Sequence, residues 1–229
     1  MYSPYFQGRI VLGGFMKSSQ LKVTLGCLFL LFSSVSQSAT ITDPSLMSPP
    51  TNTINFESLP VGAISGSLTM GDVTFSSGQG LSIQNISGYT ANGTEVSGNT
   101  LHPMLGGFGS GPYTPTTITF SQPVQEIGLG WFDPNLSGNV LQVFDADGTL
   151  LESAFVQNGP TGGSFAAFIG IQRSVGDIAS AMIVPGATND WYSIDNLQYV
   201  VAPVPIPAAV WLFGSALVGL IGVTRRRKS

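Results

Sequence analysis

The one histidine, His102, sits in Thr100-Leu101-His102-Pro103-Met104-Leu105-Gly106-Gly107 and is the only imidazole available to an enzyme built on a nucleophile and a base. A triad needs a nucleophile and an orienting acid around that ring, and no serine of the chain stands in a nucleophile-elbow sequence. The single cysteine, Cys27, falls in an N-terminal apolar run, so zinc would have carboxylates almost alone for ligands. The loop Leu105-Gly106-Gly107-Phe108-Gly109-Ser110-Gly111 lacks the lysine and the following helix of a phosphate loop. The 12 acidic residues leave one catalytic chemistry open by number, a carboxylate pair acting on a glycosidic bond. Yet Asp133 precedes Pro134, Asp145 and Asp147 flank a turn, and Asp190 stands between Asn189 and Trp191, all ordinary loop positions. A non-enzymatic domain is the expectation, with a secreted carboxylate-dependent glycan-active enzyme as the alternative.

Binding chemistry is better supplied. Trp131 beside Phe132, and Trp191 beside Tyr192, could set a ring against a sugar face, with Asp133, Asn189 and Asp190 as partners for hydroxyls. Trp131, Trp191 and Tyr192 are therefore the candidate glycan-binding residues. The competing use of each ring is to fill a hydrophobic core.

The elements that must position these groups are strands. Charged residues make up 9% of the chain while Gly (29), Pro (15) and Phe (14) are plentiful, which favours strands and tight turns over amphipathic helices. Short β-rich runs are expected near Thr53 to Phe56, Val73 to Ser76, Leu81 to Ile86, Thr116 to Phe120, Glu126 to Phe132, Val140 to Phe144, Thr149 to Val156, Phe165 to Ile171, Ala179 to Val184 and Tyr192 to Val200. About ten strands without a credible helix predict an all-β, antiparallel β-sandwich or jelly roll. Leu141 to Leu151 reads as a hairpin in which Asp147-Gly148 supplies positive φ angles.

Charge is segregated. Arg9, Lys17 and Lys22 lie near the start and Arg225 to Lys228 at the end, so between Val23 and Thr224 one base, Arg173, faces all 12 acids. Such a field repels nucleic acid, which is excluded as a partner.

The two ends read as targeting segments. From Met16, the expected start, Met-Lys-Ser-Ser-Gln-Leu-Lys precedes an apolar stretch from Val23 to Phe32 and a run of small residues, the pattern of a secretory signal peptide. Cleavage is expected within Ser38 to Thr40, where Ser36 and Ser38 suit the small-residue positions. At the other end Ala208 to Val223 carries no charge and Arg225 to Lys228 follows at once, which predicts one transmembrane helix with a cytoplasmic C-terminus. The chain thus divides into an N-terminal extension and signal peptide (1–39), a β-sandwich ectodomain (40–202) and a tail (203–229).

Val204-Pro205-Ile206-Pro207-Ala208-Ala209-Val210-Trp211-Leu212-Phe213-Gly214, continuing to Arg225-Arg226-Arg227-Lys228, closely resembles the PEP-CTERM sorting signal in its Val-Pro-x-Pro-Ala-Ala variant. Ile206 stands where the name-giving glutamate would be. The resemblance implies handling by an exosortase-type protease of the inner membrane, in a bacterium that makes exopolysaccharide and biofilm. The sorting residues it marks are Val204, Pro205, Ile206, Pro207, Arg225, Arg226 and Arg227. It implies an inner-membrane intermediate, a final place at the cell surface or in the extracellular matrix, and exopolysaccharide as the expected partner. The phrases Asn55-Phe56-Glu57-Ser58-Leu59-Pro60, Ile118-Thr119-Phe120-Ser121-Gln122-Pro123-Val124 and Ser193-Ile194-Asp195-Asn196-Leu197 are similar to ectodomains that precede such tails. In related jelly rolls, acids on the first and last strands hold a structural calcium. By that likeness Glu57, Asp195 and Asn196 are the candidate ligands, and calcium is the one cofactor implied.

Overall fold

The computed structural model describes residues 38–49, 51–89, 95–106, 111–159, 165–202 and Phe213. The signal peptide and the sorting residues Val204, Pro205, Ile206, Pro207, Arg225, Arg226 and Arg227 lie outside them. Among the described residues no helix is long and apolar enough to cross a membrane.

Thirteen antiparallel strands are present among the described residues: β1 (Ser38–Ile41), β2 (Asn52–Ile54), β3 (Gly62–Ile64), β4 (Leu68–Met70), β5 (Val73–Ser77), β6 (Leu81–Asn85), β7 (Asn99–His102), β8 (Thr116–Phe132), β9 (Val140–Phe144), β10 (Leu150–Phe155), β11 (Ala166–Arg173), β12 (Ile178–Val184) and β13 (Ser193–Val201). The all-β expectation holds. Two expected strands, Thr116 to Phe120 and Glu126 to Phe132, are the halves of one 17-residue strand, β8. The first half pairs with β5 and β12, the second with β11 and β13. Between them Ser121, Gln122 and Pro123 are exposed, and the β12 register shifts opposite them. Pro123 cannot donate to a ladder, so the strand is released from one set of partners there before taking up the next.

Two layers result, joined through β8. One holds β4, β5, β12, β9 and β10; the other holds β1, β11, β13, β2, β7, β6 and β3. The main core lies between them, with Phe75, Ile118, Leu141, Val143 and Ile183 from one side meeting Ile83, Leu101, Ile169, Ile171, Ile194 and Leu197 from the other. Alternation along β8 turns Ile127, Leu129 and Trp131 into that core. The opposite face of β8 is also covered. Ile41, Met47, Phe168 and Val200 form one small cluster, and Ile86, Val96, Phe132 and Ala166 form another.

Four strands escaped the sequence reading: β1, β3, β4 and β7. Each has only three or four residues, too few for a two-residue period to show. In β1, Ser38 and Ala39 pair with Arg173 and Gln172, so the strands begin ahead of the Thr40 boundary. The β9–β10 hairpin is present, but its turn differs from the expected one. Asp145 N–H donates to Thr149 O at 3.0 Å and Gly148 N–H to Asp145 O at 3.1 Å, and Gly148 alone has a positive φ, 79°. This is a three-residue loop closed by a left-handed glycine, and the Asp145 carboxylate caps it through the N–H groups of Asp147 and Thr149.

Gly130 of β8 meets a different constraint. A Cβ there would land on the carbonyl oxygen of Glu95, a backbone atom that no side-chain rotation can move aside. Gly130→Ala should therefore cost about 2 to 3 kcal/mol in urea denaturation as the Glu95–Ser97 segment is forced off the sheet. Gly148→Ala, which meets no neighbour, should cost only about 1 to 2 kcal/mol for its backbone angle. Equal losses in the two variants would refute the close-packing account.

Candidate cation sites and a binding groove

The three residues expected to hold calcium do come together. Asp195 and Asn196 lie on β13 at a register shift, and Asn196 has a φ of 46°. Asp195 accepts the Ser97 N–H at 3.1 Å through Oδ2 and the Asn196 N–H at 2.7 Å through Oδ1. Glu57 Oε1 accepts the Asn99 N–H at 3.2 Å, and its carboxylate fills the space a side chain at Gly98 would need. Asn196 Nδ2 donates to Glu95 O at 3.1 Å. Two carboxylates thus grip one turn, Ser97-Gly98-Asn99. Burial pushes the Asp195 carboxyl up to about 6; the Ser97 and Asn196 N–H groups oppose that shift and the Glu57 charge adds to it. Among the described residues no three Asp, Glu, His or Cys side chains converge on a metal position. The donors are two carboxylates and the Asn196 amide oxygen, all hard oxygens. That set fits calcium, with carbonyl oxygens or water completing the shell.

The aromatic candidates separate. Trp131 and Tyr192 are 0% and 1% exposed, with ring centroids 5.2 Å apart in the main core. The Tyr192 hydroxyl is bonded to Thr116 Oγ1 at 3.0 Å and to Thr114 O at 3.1 Å, and burial raises its pKa. Neither ring offers a face to a glycan, which corrects the expectation for both. Trp131 is turned inward by the parity of β8, and Tyr192, just ahead of β13, is held in the core by its bonds to Thr116 and Thr114. Trp191 is half-buried, 5.5 Å from Phe132 and 6.0 Å from Tyr89 by ring centroids, at one end of the sandwich. His102 is fully buried on β7, its Nδ1 lying 2.7 Å from Tyr192 O and its ring 5.5 Å from that of Tyr113. It belongs to the core.

Beside Trp191, the expected hydroxyl partners Asp133 and Asp190 are enclosed, 5% and 3% exposed. Asp133 leaves β8 with a φ of 58°, and its N–H donates to Phe165 O at 2.7 Å. Asp190 Oδ2 accepts from Asn139 Nδ2 at 3.3 Å. Burial pushes Asp133 up to about 6, against a hydrogen bond from Asn135, with the Asp190 charge adding; burial raises Asp190 too.

The sequence reading overlooked Phe155. On the edge strand β10 its neighbours Ala154 and Val156 point inward, and Phe155 is 72% exposed. It walls a half-open groove of about 340 Å³ together with Thr42, Glu95, Gln157 and Phe165. The groove floor is Ala166 to Ile169 of β11, where β1 no longer pairs and one strand edge has no ladder partner among the described residues. Strand parity around Phe155 was the available signal; the open edge was not, because it depends on where β1 stops.

No family model and no curated protein matches the chain. Among solved structures, it is similar to the K2 cleaved adhesin domain of Lys-gingipain (11% identity, TM-score 0.44, 68% of this chain and 100% of that one). It is also similar to the K1 cleaved adhesin domain of Lys-gingipain from Porphyromonas gingivalis W83 (14%, 0.41, 67% and 99%). A third similar chain is the CBM22-1 xylan-binding domain of Paenibacillus barcinonensis Xyn10C (12%, 0.30, 66% and 95%). At these scores none of them assigns a ligand or an activity to this chain.

The raised carboxyls set a pH dependence. A folded-state pKa near 6 for Asp133 and Asp195 lies above the unfolded value of about 3.9, so the folded state holds more protons between those values. Their contribution is most favourable below about pH 4 and is lost as pH rises through 6. In chelator, therefore, the melting temperature should fall on the order of 5 °C from pH 5 to pH 7, and calcium at pH 7 should restore part of it. A melting temperature that rises over that interval, or that ignores calcium, would count against this account.

Proposed function

We propose that this chain is an exported, non-enzymatic surface protein that binds neutral polysaccharide, delivered by the leader ending near Ser38 and sorted by the tail over 204–229. The observation that carries the binding half is the Phe155 groove. A phenylalanine left 72% exposed forgoes most of the roughly 1.5 to 3 kcal/mol that burial yields, so the fold does not need this ring where it stands. Its flat face borders Gln157, Glu95 and the open β11 edge, which supply the amide, carboxylate and backbone groups that sugar hydroxyls require. No lysine or arginine among the described residues lines the groove, and this favours a neutral over an acidic polymer. The non-catalytic half is supported by the enclosure of Asp133 and Asp190 and by the burial of His102, which leave Glu95 as the one acid lining that groove among the described residues.

The sorting half rests on the tail. Drawing Arg225 to Lys228 through hydrocarbon would cost about 2.5 to 3.5 kcal/mol per central charge, so export stalls with the acidic domain outside. Pro205 and Pro207 favour an extended segment that an exosortase-type protease of the inner membrane can engage.

Two measurements test this reading. In affinity electrophoresis against laminarin, dextran and soluble xylan, the full chain should be retarded by at least one polymer. Phe155→Ala should then weaken that retardation at least about tenfold, whereas Trp131→Phe should not. Retardation by none of the polymers, or an unaffected Phe155→Ala, would defeat the groove. For the tail, intact mass of the surface form from the native cell should lack Arg225 to Ser229. Recovery of the whole tail while the exosortase is present would instead mark a permanent anchor.

A further inference from the structure

Burying a carboxylate without a counter-charge is among the costliest things a fold can do, and buried charges are ordinarily paired or bound to metal. Asp133 and Asp190 are both enclosed, and the charge of Asp190 acts on Asp133. Arg173 is the sole lysine or arginine among the described residues, and its guanidinium is held by Asp177 through bonds of 3.0 and 2.6 Å. No base is therefore left for the Asp133–Asp190 pair among the described residues.

A second observation comes from the atoms themselves. Asp133 Oδ1 is sealed from solvent and accepts no hydrogen bond among the described residues, although it is a full acceptor on a residue only 5% exposed. Asn139, 1% exposed, fixes the other acid. Its Oδ1 accepts the Gly186 N–H at 2.7 Å, and its Nδ2 donates to Leu136 O at 2.9 Å and to Asp190 Oδ2 at 3.3 Å. One amide thus ties the 133–139 loop to the 185–192 loop and orients one oxygen of Asp190.

We propose that Asp133 and Asp190, between these two loops, are the carboxylate ligands of a divalent-cation site of the calcium class, separate from the Glu57–Asp195 grip on the Ser97–Asn99 turn. Its donors are oxygens only. Two carboxylates leave the rest of the shell to carbonyl oxygens and water, a mixture that calcium accepts and that zinc, which takes nitrogen and sulfur, does not favour. A cation here supplies the charge that Asp133 Oδ1 lacks and ties the two loops that directly adjoin Phe132 and Trp191 in the chain.

Trp191, next in sequence to Asp190, provides the readout. Terbium added to the full chain at pH 7 should give tryptophan-sensitised emission that calcium displaces. Asp133→Asn and Asp190→Asn should each weaken terbium binding at least tenfold, while Asp195→Asn should leave the Trp191-sensitised emission in place and Trp191→Phe should abolish it. Equilibrium binding of radioactive calcium to the unaltered chain provides a check that does not depend on any variant folding. No bound calcium at pH 7 overturns the site, as does unchanged terbium affinity in both Asp133→Asn and Asp190→Asn. Stabilisation of Asp133→Asn at pH 7 with no calcium effect on the unaltered chain would also overturn it, because a shared proton rather than a metal would then neutralise the pair.

Discussion

The hydrogen-bonding ladder of β8 is the constraint on which the rest of the sandwich hangs. Its first half is hydrogen-bonded to β5 and β12 and its second half to β11 and β13, so the two layers share one backbone. The exposed Ser121-Gln122-Pro123 stretch lets the strand change partners, since proline takes one donor out of the ladder at that point. Beyond it, the two-residue period aims Ile127, Leu129 and Trp131 inward and leaves Gly128, Gly130 and Phe132 on the other face. That face accepts the N-terminal segment and the Glu95–Ser97 loop only because the glycines keep it flat. Where β8 ends, Asp133 turns out of the sheet, and the position of the acid pair follows from the length of that strand.

A domain with so little basic charge has to find other ways to hold its acids. Glu126, 1% exposed, accepts from the Ser48 N–H at 2.9 Å and from Gln172 Nε2 at 2.8 Å. Asp195 and Glu57 accept backbone N–H groups of one turn, and Asp145 does the same inside its hairpin. Among the described residues only Asp177 has a guanidinium partner. Backbone amides therefore take the place of bases, which ties each acid to the conformation of a particular loop. Among the described residues the same scarcity of bases leaves the 166–169 groove free of cationic groups and Asp133 without a counter-charge.

The expectation of targeting segments and the fold of the domain rest on different physics. The expected leader and tail rest on length, hydropathy and charge asymmetry, the one-dimensional properties that a bilayer imposes on any chain that enters it. A binding surface is set by which side chains the core does not consume. Trp131 was the expected ring and Phe155 was not; parity on their strands put the first inside and the second outside.

By itself the sequence determined the all-β class, most of the longer strands, the β9–β10 hairpin, the acidic character and the expectation of export, because alternation, turn residues and charge counts are local or additive. It also pointed to Glu57, Asp195 and Asn196, which the fold does bring together. Only the tertiary structure decided that two predicted strands are one, that Ser38 and Ala39 are strand residues, that Trp131 and Tyr192 are core, and that Asp133 and Asp190 are both enclosed with no base beside them among the described residues. Each of those facts depends on pairing between residues far apart in the chain, and a hydrophobic period cannot say which face of which layer a given strand will find.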